Sequence, residues 1–330
     1  MGATPLPSRL VRTATALGAA VVLAIGGVAA LPGQAAASSA SWTQFHYAAT
    51  KSGYNPRETT LNPGNVPGVK LIWQRQFANE TVYGTPLVSG NRVYTLGYYG
   101  ELFALDRATG KVVWSKKTGT TSNSTPALWS SYVIAPANDS HGAYLAAFAQ
   151  KNGSRKWLTR LTTDQYAHVT QPTVYGSTVY VSTGYVLYAV SASSGRILWH
   201  RTLTSAEYGN VDGPVAVSGG GEYVIAAGND GYVYALNAAT GKLAWNVRAG
   251  GGIHSGGPAI YNGIVYVPEG NFGSEGGGFN IWAIQVSDGY ILWHSYAGDD
   301  VHVTPAAGAG IVAIGSIDEG VVVLNASTGA

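Results

Sequence analysis

The chain has 330 residues, 46% of them apolar and only 11% charged, with 45 Gly, 21 Tyr, 9 Trp and no Cys. Disordered chains combine low hydrophobicity with high net charge, so that class is excluded. Absent Cys excludes disulfides, thiolate metal sites, Cys nucleophiles and lipid attachment through Cys. The 19 basic and 17 acidic residues leave a formal charge of +2, which is no electrostatic footprint for nucleic acid.

Residues 1–37 read as an address. Arg9 and Arg12 are followed by an uncharged stretch from Ala14 to Leu31, then Pro32 and the run Ala35-Ala36-Ala37. A basic start, an apolar middle and an Ala-x-Ala end predict a secretory signal peptide cleaved after Ala37, hence a secreted, extracytoplasmic protein. The alternative is an uncleaved anchor. Cleavage leaves 17 basic and 17 acidic residues, a neutral mature chain. Residues 38–67 form an N-terminal lead-in segment.

Residues 68–330 are a repeat. Leu102-Phe-Ala-Leu-Asp-Arg-Ala-Thr-Gly-Lys-Val-Val-Trp114 returns as Leu145–Trp157, Leu187–Trp199, Val233–Trp245 and Ile281–Trp293. Gly110, Gly153, Gly195, Gly241 and Gly289 each stand four residues before the Trp, and a further copy runs from Val321 to Gly329. Alternating apolar residues such as Phe103 and Leu105 predict a strand with one buried face. Asp/Asn-x-x-Thr-Gly supplies a turn, and the run from Lys111 to Lys116 a second strand. Two short strands lie upstream, for example Thr85–Ser89 and Arg92–Leu96 around Gly90-Asn91. Four antiparallel strands in roughly 40–50 residues are the signature of a β-propeller blade.

Trp-bearing fourth strands occur at Trp73, Trp114, Trp157, Trp199, Trp245 and Trp293. Units of the first three strands begin near Thr85, Thr125, Gln171, Gly213, Gly257 and Thr304. The expected fold is therefore all-β: a propeller of six four-stranded blades, closed by the Trp73 strand pairing with the last unit at Val321–Leu324. A fragment of a propeller with more blades is the alternative. Repeated Trp beside repeated Ala and Gly reads as packing between neighbouring blades.

Ala104–Trp114 and Ala235–Trp245 resemble the tryptophan-docking repeat of pyrroloquinoline-quinone (PQQ)-like β-propellers, the quinoprotein alcohol dehydrogenase-like superfamily. Trp42-Thr-Gln-Phe-His-Tyr with Ser52-Gly-Tyr-Asn-Pro56 and Leu61-Asn-Pro is similar to the lead-in of such propellers. The resemblance implies PQQ held with Ca²⁺ in the dehydrogenases. It equally implies non-catalytic relatives such as the outer-membrane assembly lipoprotein. The vicinal Cys pair and the Cys-x-x-Cys-His haem segment of the first group, and the lipid-bearing Cys of the second, have no counterpart here.

Loops leading into each innermost strand share one end of the channel with the loops between second and third strands. This rim carries Tyr83, His168, Asp212, His254, Asp300 and His302 from the first set, and Tyr98-Tyr99, Asp139, His141, Asn229-Asp230, Glu269 and Asp318 from the second. Converging imidazoles and carboxylates predict a divalent-cation site or a general acid/base set for polysaccharide cleavage. The other reading has each group capping its own loop. Glu269–Asn280, the longest insertion, predicts a flexible rim flap. His200 and His294 are expected at the surface, and His46 has no clear partner. The function expected is a monomeric scaffold that binds an extracytoplasmic protein or a polysaccharide through its rim. The alternatives are a PQQ/Ca²⁺ oxidoreductase or a polysaccharide-active enzyme.

Overall fold

A computed structural model describes residues 41–119, 124–203, 210–251, 256–270, 280–298, 301, 303–316 and 319–330. The signal segment expected at 1–37 lies outside them. The described residues form an all-β propeller architecture with one short 3₁₀ turn at Val66–Gly68. Sheet 1 holds β1 (Leu87–Ser89), β2 (Arg92–Leu96), β3 (Glu101–Asp106) and β4 (Val112–Lys117). Sheet 2 holds β5 (Ala127–Trp129), β6 (Tyr132–Asp139), β7 (Gly142–Ala149) and β8 (Arg155–Thr162). Sheet 3 is β9 (Thr173–Tyr175), β10 (Thr178–Thr183), β11 (Val186–Ser191) and β12 (Ile197–Thr202). Sheet 4 is β13 (Ala216–Val217), β14 (Tyr223–Ala227), β15 (Tyr232–Asn237) and β16 (Leu243–Arg248). Sheet 5 is β17 (Ala259–Tyr261), β18 (Ile264–Pro268), β19 (Asn280–Gln285) and β20 (Ile291–Tyr296). Sheet 6 has three strands, β21 (Ala306–Gly308), β22 (Ile311–Ser316) and β23 (Gly320–Asn325).

Each sheet is an antiparallel meander, and its register explains the repeated small residue. Ala104 sits opposite Trp114, and Ala147, Ala189, Ala235 and Ala283 sit opposite Trp157, Trp199, Trp245 and Trp293. The indole reaches across to the next sheet. Trp114 Nε1 donates to Gln150 O at 2.9 Å, Trp157 to Ala192 O at 3.0 Å, Trp199 to Ala238 O at 3.0 Å, and Trp245 to Val286 O at 2.9 Å. Each acceptor stands three residues before the Thr-Gly-type turn glycine on which the ring lies. At Gly241, φ is +68° and a Cβ would stand 2.6 Å from the Trp199 ring. Glycine is required there twice over, for its backbone conformation and for the space.

The core is a series of seams. Tyr94, Leu96, Leu102 and Ala104 of sheet 1 pack against Val133, Ala135, Ala146 and Phe148 of sheet 2, and equivalent clusters join sheets 2 and 3, 3 and 4, 4 and 5, and 5 and 6. Truncating a buried Trp in such a seam costs about 3–5 kcal/mol.

Residues 42–52 run along the innermost strands as a strap. Trp42 exchanges two backbone hydrogen bonds with Val88, both 2.9 Å. Leu128 N–H donates to Thr43 O, Val217 N–H to Ala49 O, Ile260 N–H to Thr50 O and Ala307 N–H to Ser52 O, all at 2.7–2.8 Å. Sheet 3 is met by a side chain instead: Gln44 donates to Val174 O at 3.2 Å and accepts from Val174 N–H at 2.9 Å. One short segment thus satisfies the inner edge of all six sheets in chain order. Every contact falls close to the turn that ends the innermost strand, so the strap occupies the turn end of the axis.

Closure through the Trp73 strand is not observed. Trp73 docks on sheet 1, its Nε1 donating to Arg107 O at 2.8 Å, but residues 69–79 form no strand. Among the described residues no backbone hydrogen bond joins them to β23. The reason is that the docking Trp belongs to the sheet preceding its glycine. Among the described residues sheet 6 shares no apolar cluster with sheet 1.

Candidate binding face at the rim

The end opposite the strap is built from loops and carries aromatic side chains. Tyr83, leading into β1, is 68% exposed, and its ring meets Tyr98 edge-on at 5.7 Å. Tyr98 in turn meets Tyr99 at 5.1 Å. These loops are held by Glu80, whose carboxylate accepts the N–H groups of Tyr99 (2.9 Å) and Glu101 (3.2 Å), while Lys117 donates to Tyr99 O. On sheet 3, Tyr166 is 79% exposed in the loop leading into β9, and Tyr185 is exposed between β10 and β11. Tyr166, Tyr185 and Glu80 escaped the sequence reading. The two tyrosines were legible from their loop positions, whereas Glu80 carried no signal before its partners were known.

The described rim carboxylates are engaged by neighbouring groups, Glu269 and Asp212 bridging two loops each and Asp139 bonding within its own. Glu269 is buried, with Oε1 accepting Gly251 N–H at 3.0 Å and Oε2 accepting Asn280 Nδ2 at 2.8 Å and Trp282 Nε1 at 2.9 Å. Asp212 is exposed and accepts Asn229 Nδ2 at 2.7 Å. Asp139 accepts the backbone N–H of His141 at 2.8 Å, which holds its carboxyl below the usual range. The exposed His141 ring lies 3.5 Å from the same carboxylate. His168 is exposed on the loop leading into β9. His254, Asp300, His302 and Asp318 lie outside the described residues, as does most of the Glu269–Asn280 loop. Among the described residues no three His, Asp or Glu side chains stand together as a metal site.

The imidazoles expected at the surface are there, each stacked on an aromatic ring: His200 on Tyr188 at 5.8 Å and His294 on Trp282 at 4.5 Å. His46, without an evident partner in the sequence, belongs to the strap. Its Nδ1 lies 3.2 Å from Lys51 O, and burial lowers its pKa. Lys51 is fully buried there, donating to Phe45 O at 3.2 Å, and loss of hydration lowers its pKa to about 7.

Known proteins resemble this chain at the level of fold and family. Residues 67–215 and 186–330 match the family described as outer membrane protein assembly factor BamB. A tetrathionate hydrolase from Acidithiobacillus ferrooxidans is 25% identical over 284 residues, covering 73% of this chain and 54% of the relative. An outer membrane protein assembly factor BamB from Moranella endobia is 24% identical over 219 residues, covering 63% and 52%. The chain therefore spans about half the length of these relatives. Among solved structures, a europium-containing methanol dehydrogenase superposes with a TM-score of 0.66 at 13% identity, covering 88% of this chain and 84% of that one. An assembly factor, a hydrolase and a dehydrogenase share one fold, so activity rests on the site and not on the architecture.

Proposed function

The chain belongs to the BamB family of PQQ-like β-propellers, and from that premise we propose that it is an extracytoplasmic scaffold binding a protein partner through its rim. The observation that carries this reading is the set of exposed tyrosines, Tyr83, Tyr99, Tyr166 and Tyr185, on loops fixed by internal hydrogen bonds. Tyrosine supplies a large apolar face and a polar tip at low entropic cost, which suits a recognition surface. Preformed loops lower the ordering cost of association. The sequence signal at 1–37 supports an extracytoplasmic location, and no described helix is long and apolar enough to cross a membrane.

A Ca²⁺-held quinone does not fit the described rim. Both oxygens of Glu269 are taken up by three N–H donors, and Asp212 and Asp139 sit on other sheets, engaged with Asn229 and with the His141 N–H.

A photo-crosslinking side chain at Tyr83 or Tyr166, compared with one at the turn residues Thr109 or Thr240, tests the scaffold reading on the secreting cell. Discrete protein adducts are expected from the rim positions only. Adducts from both ends alike, or from neither, would sink it. Retention on insoluble polysaccharide that is lost in Tyr83→Ser and Tyr166→Ser would shift the partner class to a glycan, since the same faces stack on sugar rings.

A further inference from the structure

In an Asn-Gly step the asparagine side chain can reach the next backbone nitrogen, because glycine has no Cβ to keep the two apart. The chain contains this step twice, at Asn152-Gly153 and Asn262-Gly263, in turns of opposite character. Asn152-Gly153 is held. Gly153 is buried against the Trp114 indole, and its N–H donates to Ala149 O at 2.8 Å. Asn152 Oδ1 accepts the Ser154 N–H at 3.1 Å, so the side chain is tied down as well.

Asn262-Gly263 is the two-residue turn between β17 and β18, where Tyr261 pairs with Ile264. Both residues have positive φ, +49° and +76°, as in a primed hairpin turn. Both are exposed, and neither the Asn262 side chain nor the Gly263 N–H bonds to a described residue. A Cβ built on Gly263 would meet nothing within 4 Å. On its other side Asn262 lines a cavity of about 840 Å³ shared with Glu222, Tyr223 and Gln285. Space and free groups therefore coincide at this step alone of the two.

We infer that Asn262 is a self-modification site, converted through a cyclic imide to aspartyl and isoaspartyl forms, while Asn152 stays intact. The Gly263 N–H gives its proton to solvent hydroxide, and the nitrogen attacks Asn262 Cγ. The N–Cγ bond forms, the Cγ–Nδ2 bond breaks, and ammonia leaves with a proton taken from water. Water then opens the imide. Cleavage of the N–Cγ bond restores the ordinary backbone with a carboxylate side chain, whereas cleavage at the α-carbonyl routes the backbone through Cβ and Cγ. The net change consumes water and releases ammonia, with no oxidant or reductant. The isoaspartyl product lengthens a two-residue turn whose strands pair directly on either side. β17 is three residues long, and its middle residue, Ile260, donates to Thr50 O of the strap at 2.7 Å. Conversion therefore loosens the strap's hold on sheet 5. Either product also places a carboxylate on the cavity wall shared with Glu222.

The test is storage of the full chain at mildly alkaline pH, followed by peptide mapping with mass spectrometry and isoaspartyl-specific methylation. Position 262 should convert at least about tenfold faster than position 152, whose two hydrogen bonds must first break. In the guanidinium-unfolded chain the two steps should convert at similar rates, since only their folded surroundings differ. Equal rates in the folded chain, or the same disparity after unfolding, overturn the inference. Hydrogen exchange of the aged protein reads the consequence. The Ile260 amide should exchange faster than in an equally aged Asn262→Gly variant, which keeps the turn and cannot cyclise. Unchanged exchange at Ile260 in converted protein would overturn the link to the strap.

Discussion

The two ends of the propeller axis are built on opposite principles. At the turn end, residues 42–52 bury their backbone against six sheets and enclose a lysine completely. At the rim, the polar groups tie together pairs of neighbouring loops, and large aromatic faces are left in solvent. The first arrangement resists change because every group in it is shared among sheets. The second tolerates exchange of its exposed side chains, since the bracing bonds stay between neighbouring loops. Recognition is therefore expected to vary at the rim while the strap determines whether the six sheets hold together.

The largest effect expected from a single substitution is at the strap. Burial lowers the Lys51 pKa from 10.5 to about 7. Between these values the unfolded chain binds a proton that the folded chain does not, so stability rises with pH from about 7 to 10.5. Below 7 both states are charged and the penalty is constant, of the order of 4–5 kcal/mol at most. Lys51→Met should raise stability by a large part of that at pH 6 and abolish the slope between pH 7 and 10.5. Urea unfolding at pH 6, 8 and 9.5 measures both. His46 has the same sign at lower pH: its pKa is depressed by burial, so stability falls further as pH drops through 6.5.

The rim counterpart of Lys51 is Glu269, a buried charge that is satisfied instead of stranded. Glu269→Ala leaves the N–H groups of Gly251, Asn280 and Trp282 without their acceptor, at a cost of about 2–4 kcal/mol. Glu269→Gln keeps acceptor capacity for part of the set and should cost less. Thermal unfolding of the two variants orders them. Equal loss in both would mean that charge, and not the number of acceptors, holds the loop.

Much of the fold was legible before any coordinates, and the reason is repetition. Ala104 opposite Trp114, with Gly110 four residues before the Trp, recurs at fixed offsets, so one local register predicts the rest. The strap was not legible. Trp42–Ser52 works through backbone groups whose partners are 46 to 255 residues away, and only Gln44 uses a side chain that the sequence could advertise. The pairing that would close the ring through Trp73 is not seen among the described residues, since counting strands matches ends but carries no information about curvature. At the rim, loop position made Tyr83, Asp212 and Glu269 candidates for the channel mouth. Their hydrogen-bond partners, which decide what each group is free to do, came from sequence-distant loops.

Two smaller changes sharpen the contrast between the ends. Gln44→Ala removes both hydrogen bonds to Val174 and exposes one inner edge, which should cost about 1–2 kcal/mol. Rim crosslinking from Tyr166 should survive it, because the strap end and the rim loops share no bond through Gln44. Asp212→Asn sits at the other extreme. Its carboxylate is exposed and accepts one bond from Asn229, so unfolding should move by less than about 0.5 kcal/mol. A partner that reads rim charge will nevertheless bind the variant more slowly and lose part of its salt dependence. Association rates at two ionic strengths separate these cases. A large stability loss from Asp212→Asn would mean that the bond between these two rim loops holds the sheets together as the strap does, and the contrast between the two ends would then disappear.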